Sequence, residues 1–234
     1  MADDMQLSIS NTDEKFARGL FQKYYERVAP GLLDPGEIHA REFGVGTWTK
    51  KIETRHLSFR SSQELKAYLL RNTPFYISYS AAYYEFPDGR PMPKKNWQGA
   101  ELIFDLDADH LRLECLEKGE HAKGWVCENC LSSVKAETLK LIEEFLIPDF
   151  GFSKDEISLN FSGNRGYHVH IASKPILQMS GWARRELVDY ISGTGLARAE
   201  VFPKDADRTG PSPNSAGWGG KIARRFVQLS EAGR

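Results

Sequence analysis

The stretch LIFDLD at residues 102–107 combines strand-forming apolar residues with two carboxylates. Side chains of a strand alternate between its two faces, so Asp105 and Asp107 point the same way while the apolar residues beside them point into a core. Two carboxylates a few ångströms apart repel each other unless a cation lies between them. Hard cations such as Mg²⁺ prefer oxygen ligands and leave room for substrate phosphates, so the stretch predicts a metal site that serves a nucleoside triphosphate. An edge strand with a solvated polar face is the alternative, and this stretch alone does not decide between the two.

The composition is that of a protein able to build a sizeable core. The chain has 234 residues, of which 41% are hydrophobic, and this suits one large domain or a domain with an inserted module. Its 31 basic and 32 acidic residues give a net charge of −1. The chain is therefore not the strongly basic type of nucleic-acid binder, and contact with nucleic acid requires a local basic patch or a bound metal.

The sequence also contains no long apolar run and no apolar segment near its acidic N-terminus. A membrane span needs about 18 consecutive apolar residues, and a secretory signal needs an apolar segment after its first residues. We therefore expect a soluble intracellular protein without membrane contact.

The hydrophobic pattern predicts a mixture of helices and strands, hence a mixed α/β (α+β) fold. Apolar residues spaced by three and four predict helices over residues 11–29, 62–71, 132–146 and 179–193. Alternating or aromatic-rich runs predict strands within 38–60 and over 75–85, 100–107, 157–161 and 167–172. The signal weakens after about residue 195, and residues 207–220, with four Gly and two Pro, predict a loop or disordered stretch.

A cluster of metal-ligating residue types follows the carboxylate strand. Cys115, His121, Cys127 and Cys130 have the spacing C-x5-H-x5-C-x2-C. Thiolates and imidazole are the preferred ligands of tetrahedral zinc, and three Cys in one short segment make a poor disulfide framework. The pattern predicts a structural zinc site, since no ligand position is left open. The alternative is chance clustering, with His121 an ordinary surface residue.

The sequence SGNRGYH at residues 162–168 joins two predicted strands. Its two glycines allow the backbone to approach a ligand and present amide N–H groups, and Arg165 offers a planar fork for phosphate oxygens. Together with the Ser162 hydroxyl and His168, the turn predicts a triphosphate-binding site. A tight hairpin with a surface arginine is the alternative, and His170, on the same strand face as His168, is predicted to be structural.

The order of these three motifs resembles the catalytic small subunit of archaeal and eukaryotic DNA primases. The resemblance extends to Tyr24-Tyr25, REFG at residues 41–44, GAEL at 99–102 and DFGF at 149–152. It covers residues 16–195, and the archaeal branch is the better match.

The resemblance implies a primase catalytic core in which two sheets flank the active site, with a small zinc knuckle inserted at about residues 112–131. It implies DNA-directed synthesis of short primers from nucleoside triphosphates on single-stranded DNA, by two-metal catalysis with Mg²⁺ or Mn²⁺. Asp105 and Asp107 match the metal-binding pair, whereas the match for nucleotide binding falls on Ser162, Arg165, His168 and Arg55. A heterodimer with a primase large subunit, and a cytoplasmic, nucleoid-associated location, are also implied.

The resemblance fails at the C-terminal side. Members of the family carry a third catalytic aspartate ahead of a basic segment, and that segment has no counterpart here. Asp205 and Asp207 are the candidates to substitute for it. We therefore expect a catalytic domain over residues 1–195 and a poorly matched tail over 196–234 that is truncated or disordered.

Two other functions remain open from the sequence. One is a polymerase of the same superfamily that extends primers during repair rather than starting chains. The other is a catalytically weak or accessory subunit that keeps the primase fold and binds nucleic acid.

Overall fold

The computed structural model describes residues 11–122, 125–202 and 210–233, and the chain divides into two compact units, residues 1–100 and 101–234. Both units mix helices with antiparallel strands, and each contains one sheet. The predicted mixed α/β class with two sheets is thereby confirmed. None of the described helices is long and apolar enough to cross a membrane.

The first unit contains a four-stranded sheet and two helices. Its elements are α1 (Asn11–Val28), β1 (Arg41–Gly46), β2 (Thr54–Leu57), α2 (Ser62–Asn72), β3 (Tyr76–Tyr84) and β4 (Trp97–Ala100), with 3-10 turns at Ala29–Gly31, Ile38–Ala40 and Met92–Lys95. The strand order is β2-β1-β3-β4 with antiparallel pairing throughout. The helices and the sheet enclose a core that includes Tyr25, Phe43, Phe59 and Leu69.

Helix α2 begins where the sequence predicts, because its first turn carries matched capping residues. The Ser61 hydroxyl accepts a hydrogen bond from the Glu64 backbone N–H at 3.3 Å, and the Glu64 carboxylate accepts one from the Arg60 N–H at 2.7 Å. These contacts satisfy donors that the helix itself cannot. The helix ends at Thr73, which adopts a left-handed conformation with φ +44°.

The second unit contains a three-stranded antiparallel sheet of order β5-β7-β6. Its elements are β5 (Leu102–Asp107), α3 (Glu114–Glu117), α4 (Glu128–Lys140), β6 (Ile157–Phe161), β7 (Gly166–Ile171), α5 (Lys174–Leu177), α6 (Gly181–Ser192), α7 (Arg198–Val201) and α8 (Gly217–Ala232), with 3-10 turns at Ala108–His110 and Lys154–Glu156. Leu102, Val169 and Ile171 of the sheet contribute to the main core. The residues that alternate with the aspartates, Phe104 and Leu106, pack against that core as predicted.

Two predicted elements have different limits in the structure. The predicted strand over 100–107 is two strands, since β4 ends at Ala100 in one sheet and β5 begins at Leu102 in the other. The predicted helix over 132–146 begins earlier, at Glu128, and changes to a π-helix at Leu141–Leu146. The π-helix segment brings Leu141, Phe145 and Leu146 to the core, and tertiary packing of this kind overrides local periodicity.

Part of the predicted loop at 207–220 is helical instead, because α8 begins at Gly217. Trp218 explains why: its indole Nε1 donates to the Tyr190 carbonyl at 2.7 Å, and its ring lies 5.5 Å from that of Phe145. Lys221 adds an ion pair of 2.7 Å to Asp149. A glycine-rich helix start is therefore stabilised by contacts that the local sequence does not reveal. The assignment of the catalytic domain to residues 1–195 stays a prediction.

Candidate active site and metal centre

Strand β5 carries Asp105 and Asp107 on one face, opposite the start of β7. The pairing places Asp105 across from His168 and Asp107 across from Gly166. His168 Nε2 lies 3.3 Å from Asp105 Oδ1, and Arg165 Nε lies 3.1 Å from Asp107 Oδ2. Four of the predicted site residues, from two distant stretches of sequence, therefore meet at one end of the sheet.

The two carboxylates differ in their surroundings. The Asp105 side chain is 66% exposed, whereas that of Asp107 is 21% exposed. Asp105 is therefore open to solvent, and Asp107 is paired with Arg165. Carboxylate oxygens are the ligands that Mg²⁺ and Mn²⁺ prefer, so this pair fits such an ion.

Gly166 is what allows β7 to approach β5 this closely. A Cβ atom at this position would overlap the Leu106 carbonyl oxygen and the Asp107 carboxylate. Any other residue would push the two strands apart at the point where the acidic and basic side chains meet.

The turn between β6 and β7 is closed by Ser162. Its hydroxyl oxygen accepts hydrogen bonds from the Gly166 N–H at 3.0 Å and the Asn164 N–H at 3.4 Å. The hydroxyl proton is still free to be donated to a ligand, because a serine can donate and accept at once. Gly163, with φ +78°, gives the turn its left-handed residue.

Asp109 is a site residue that the sequence reasoning missed. Its Oδ2 lies 2.9 Å from Arg165 NH1, so the guanidinium bridges Asp107 and Asp109. The sequence does contain this acid at the same alternating spacing, two residues after Asp107. However, Asp109 lies beyond the strand, in the 3-10 turn Ala108–His110. Strand periodicity therefore does not tell where its side chain points.

His170 makes a separate contact. Its Nδ1 lies 3.1 Å from Glu101 Oε2, and both side chains are largely buried, at 13% and 7% exposure. This pairing agrees with the structural role predicted for His170.

The predicted cysteine and histidine cluster also comes together. The ligand atoms of Cys115, His121, Cys127 and Cys130 all lie within 4.8 Å of one another. Cys130 Sγ is 3.4 Å from Cys115 Sγ, 3.6 Å from Cys127 Sγ and 3.3 Å from His121 Nε2. A tetrahedral zinc with bonds of about 2.3 Å separates its sulfurs by about 3.8 Å, close to these distances, whereas a disulfide requires about 2.05 Å. The four residues therefore fit a metal ion, and the three thiols are free.

The protein environment shifts the pKa values of the Cys115 and Cys127 thiols in opposite directions. Burial raises the pKa of the Cys115 thiol to about 11, and the neighbouring thiols of Cys130 and Cys127 add to the shift. The pKa of Cys127 is lowered to about 7, chiefly because the Cys130 backbone N–H donates to its sulfur. Cys127 precedes α4, where N–H groups of the first turn stabilise a thiolate, the form that binds metal.

Arg55 belongs to the first unit, on β2. Its Nε lies 3.2 Å from Glu42 Oε1, and its side chain is 56% exposed. Glu42 is buried and also lies 3.5 Å from the Nζ of Lys95, which is fully buried. Arg55 thus presents a half-exposed guanidinium whose Nε is paired with the buried Glu42 carboxylate.

Asp205 and Asp207, the candidates for a third carboxylate, lie outside the described residues.

Comparison with known proteins finds similar sequences. Residues 104–216 match the family model of the DNA primase small subunit. The chain is 40% identical over 225 residues to the DNA primase small subunit PriS of Methanothrix thermoacetophila, covering 92% of this chain and 55% of the relative. It is 43% identical to that of Methanosarcina barkeri, covering 80% of this chain and 43% of the relative. For Thermoplasma volcanium PriS the values are 38% identity, 90% of this chain and 59% of the relative.

The fold and the site thus define a mixed α/β protein with a paired-carboxylate site beside an arginine-bearing turn. With the matches above, the chain belongs to the DNA primase small subunit family. It spans about half the length of the curated relatives it matches.

Proposed function

We propose that this chain is the catalytic part of a DNA primase small subunit. It would be a DNA-directed nucleotidyltransferase that synthesises short primers from nucleoside triphosphates on single-stranded DNA. The observation that carries the proposal is the meeting of Asp105 and Asp107 with Arg165 and His168 at one end of a sheet, at 3.1 and 3.3 Å. Paired carboxylates next to cationic side chains suit a cation-bound triphosphate.

In this proposal Asp105 and Asp107 hold Mg²⁺ or Mn²⁺. Cations held there would supply the positive charge that activates an attacking hydroxyl and stabilises a leaving pyrophosphate. Arg165, His168 and the Ser162 hydroxyl bind and orient the triphosphate. Arg55 is proposed as a further nucleotide-binding residue. Its guanidinium is half-exposed, and its position is fixed by the ion pair with Glu42.

The cysteine and histidine cluster is proposed to hold a structural zinc. Cys115 and Cys130 are buried beside Ala108, Leu113 and Val134. A cation there would tie α3 and α4 to the segment that follows β5, and so stabilise the surroundings of the carboxylates. This role requires all four ligands and no open position.

The partners follow from the same proposal. The relatives are named small subunits, which supports a heterodimer with a primase large subunit. The template would be single-stranded DNA, and the location cytoplasmic at the nucleoid. Because the net charge is −1, template affinity would depend on the large subunit or on bound cations.

The test is primer synthesis by this chain with Mn²⁺, a single-stranded template and labelled nucleotides. The matched variants are Asp105→Asn with Asp107→Asn, and Asp155→Asn as the control, because Asp155 is an exposed acid of the same unit. We expect synthesis in the wild type and the control and none in the double variant.

Equal synthesis by the double variant would refute the assigned site. Extension of a supplied primer without synthesis from free nucleotides would favour a repair polymerase instead. Template binding without any synthesis would favour an accessory subunit.

A further inference from the structure

The Arg165 guanidinium is held by two different carboxylates. Its Nε lies 3.1 Å from Asp107 Oδ2 and its NH1 lies 2.9 Å from Asp109 Oδ2. The third nitrogen, NH2, makes no hydrogen bond or ion pair within the described part of the chain. Two of the three guanidinium nitrogens, Nε and NH1, are thus paired with carboxylates. The remaining nitrogen, NH2, is available to a ligand oxygen.

We infer that Asp109 is a positioning residue that holds Arg165 toward the substrate phosphates. The inference rests on the proposed function, because it takes Arg165 as a triphosphate-binding residue. It assigns Asp109 a role that Asp107 cannot fill alone. Asp107 is proposed to ligate a cation, and an oxygen committed to a cation is a weaker acceptor for the arginine. The contact to Asp109 is independent of that cation.

The backbone around Asp109 is built to keep this contact. The Ala108 N–H donates to the Arg165 carbonyl at 3.1 Å, which joins the 3-10 turn to the turn between β6 and β7. Ala108 is buried, with 2% exposure. The acid and the arginine are therefore held on two segments that are hydrogen-bonded to each other, so the pairing of their side chains costs little backbone freedom.

Asp109 does not complete a metal-ligand set in this structure. Among the described residues, the only group of three or more potential ligands close enough to share an ion is the cysteine and histidine cluster. Asp109 instead faces the arginine, at about the same exposure as the arginine itself, 34% and 33%. Positioning, rather than metal ligation, is the role that this geometry supports.

The experiment measures two affinities in the full chain with Asp109→Asn, which keeps the shape of the side chain. The first is the Kd of ATP in the presence of Mg²⁺, and the second is the Kd of Mn²⁺ alone, from its paramagnetic resonance signal. Asp155→Asn is the control. We expect ATP binding to weaken about three- to tenfold, as suits an ion pair that is partly exposed. Mn²⁺ binding and the thermal midpoint should stay unchanged.

A double-mutant cycle with Arg165→Ala separates positioning from a general structural effect. Without the arginine, Asp109→Asn only removes a negative charge close to the phosphates, so ATP binding should stay the same or become tighter. A loss of affinity that persists in the Arg165→Ala background would overturn the inference. So would tighter ATP binding by the single Asp109→Asn variant, since Asp109 would then compete with the phosphates for the arginine.

The remaining outcomes also discriminate. Weaker Mn²⁺ binding by Asp109→Asn would make Asp109 a metal ligand and overturn the positioning role. If Arg165→Ala leaves ATP binding unchanged, the proposed nucleotide site itself fails. If Arg165→Ala weakens ATP binding but Asp109→Asn does not, the proposed function stands and only this inference fails.

Discussion

Replacing Glu42 by glutamine should destabilise the protein far more than replacing the lysine that faces it. Lys95 is fully buried, and its Nζ lies 3.5 Å from Glu42 Oε2. Among the described residues this ammonium group makes no hydrogen bond, although it lies 5.4 Å from the centre of the Tyr84 ring. Glu42 therefore supplies the main opposing charge for the Lys95 ammonium group. Glu42→Gln leaves that buried cation uncompensated beside Arg55.

The expected loss of stability follows from the distance between Lys95 Nζ and Glu42 Oε2. Two unit charges 3.5 Å apart attract each other by about 5 kcal/mol at an effective dielectric constant of about 20. We expect Glu42→Gln to lower the free energy of unfolding by about 3–5 kcal/mol, the usual cost of breaking a buried pair.

Lys95→Met should cost less, about 1–2 kcal/mol, since Glu42 keeps Arg55 and the His56 backbone N–H as partners. The double variant should be more stable than Glu42→Gln alone, because no uncompensated charge remains. The assay is equilibrium unfolding in urea, a neutral denaturant that does not screen charges. A cost below about 1 kcal/mol for Glu42→Gln, or no recovery in the double variant, would refute the reasoning.

The effect should depend on pH in a defined direction. Burial by itself would raise the pKa of Glu42, but Lys95, the His56 N–H and Arg55 together lower it below its ordinary value. A carboxylate whose pKa is lowered in the folded state stabilises the protein above its unfolded pKa, and this contribution is lost as the pH falls through the folded value. The difference between wild type and Glu42→Gln should therefore be full near pH 7 and shrink below about pH 4.

Three further predictions concern the second unit. Gly166→Ala should abolish nucleotide binding and lower the free energy of unfolding by about 2 kcal/mol or more, because the added Cβ would overlap the Asp107 carboxylate. Gly181→Ala is the control, since a Cβ at that position meets open space. Calorimetry measures both the nucleotide affinity and the stability. Cys130→Ser should remove stoichiometric zinc, measured by atomic absorption, and lower the thermal midpoint; an unchanged midpoint would contradict a structural site. Asp149→Asn should loosen α8 without detaching it, because Lys221 loses the negative charge 2.7 Å from its Nζ while Trp218 keeps its contacts to Tyr190 and Phe145. Faster amide exchange of α8 would report the change, and unchanged exchange would contradict the anchoring role of the ion pair.

The sequence predicted much of the local structure correctly. Helices α1, α2 and α6 and strands β3, β6 and β7 lie within a few residues of the predicted limits, because each has a clear period, a capping residue or a Gly or Pro at its end. The predictions were wrong where tertiary contacts decide. Local sequence does not distinguish one strand over 100–107 from two strands that join different sheets, nor does it reveal that Trp218 anchors a helix.

The candidate site divides in the same way. The spacing of Cys115, His121, Cys127 and Cys130 was enough to predict a shared metal, since thiolates and imidazole at such intervals have few other uses. Asp105 and Asp107 were predicted to share a face from strand alternation alone, and the pairing in the sheet agrees. Their roles in catalysis remain predictions for the experiments above.

What the sequence by itself determined is the set of chemical groups and the local geometry of each, because periodicity and residue type act over neighbouring residues. Only the tertiary structure decided which groups meet. The register of β5 with β7 places Arg165 between Asp107 and Asp109, and the first unit buries Lys95 against Glu42. Such pairings depend on contacts between residues far apart in the chain, and the energy of a charge depends on what surrounds it, which no single stretch of sequence contains.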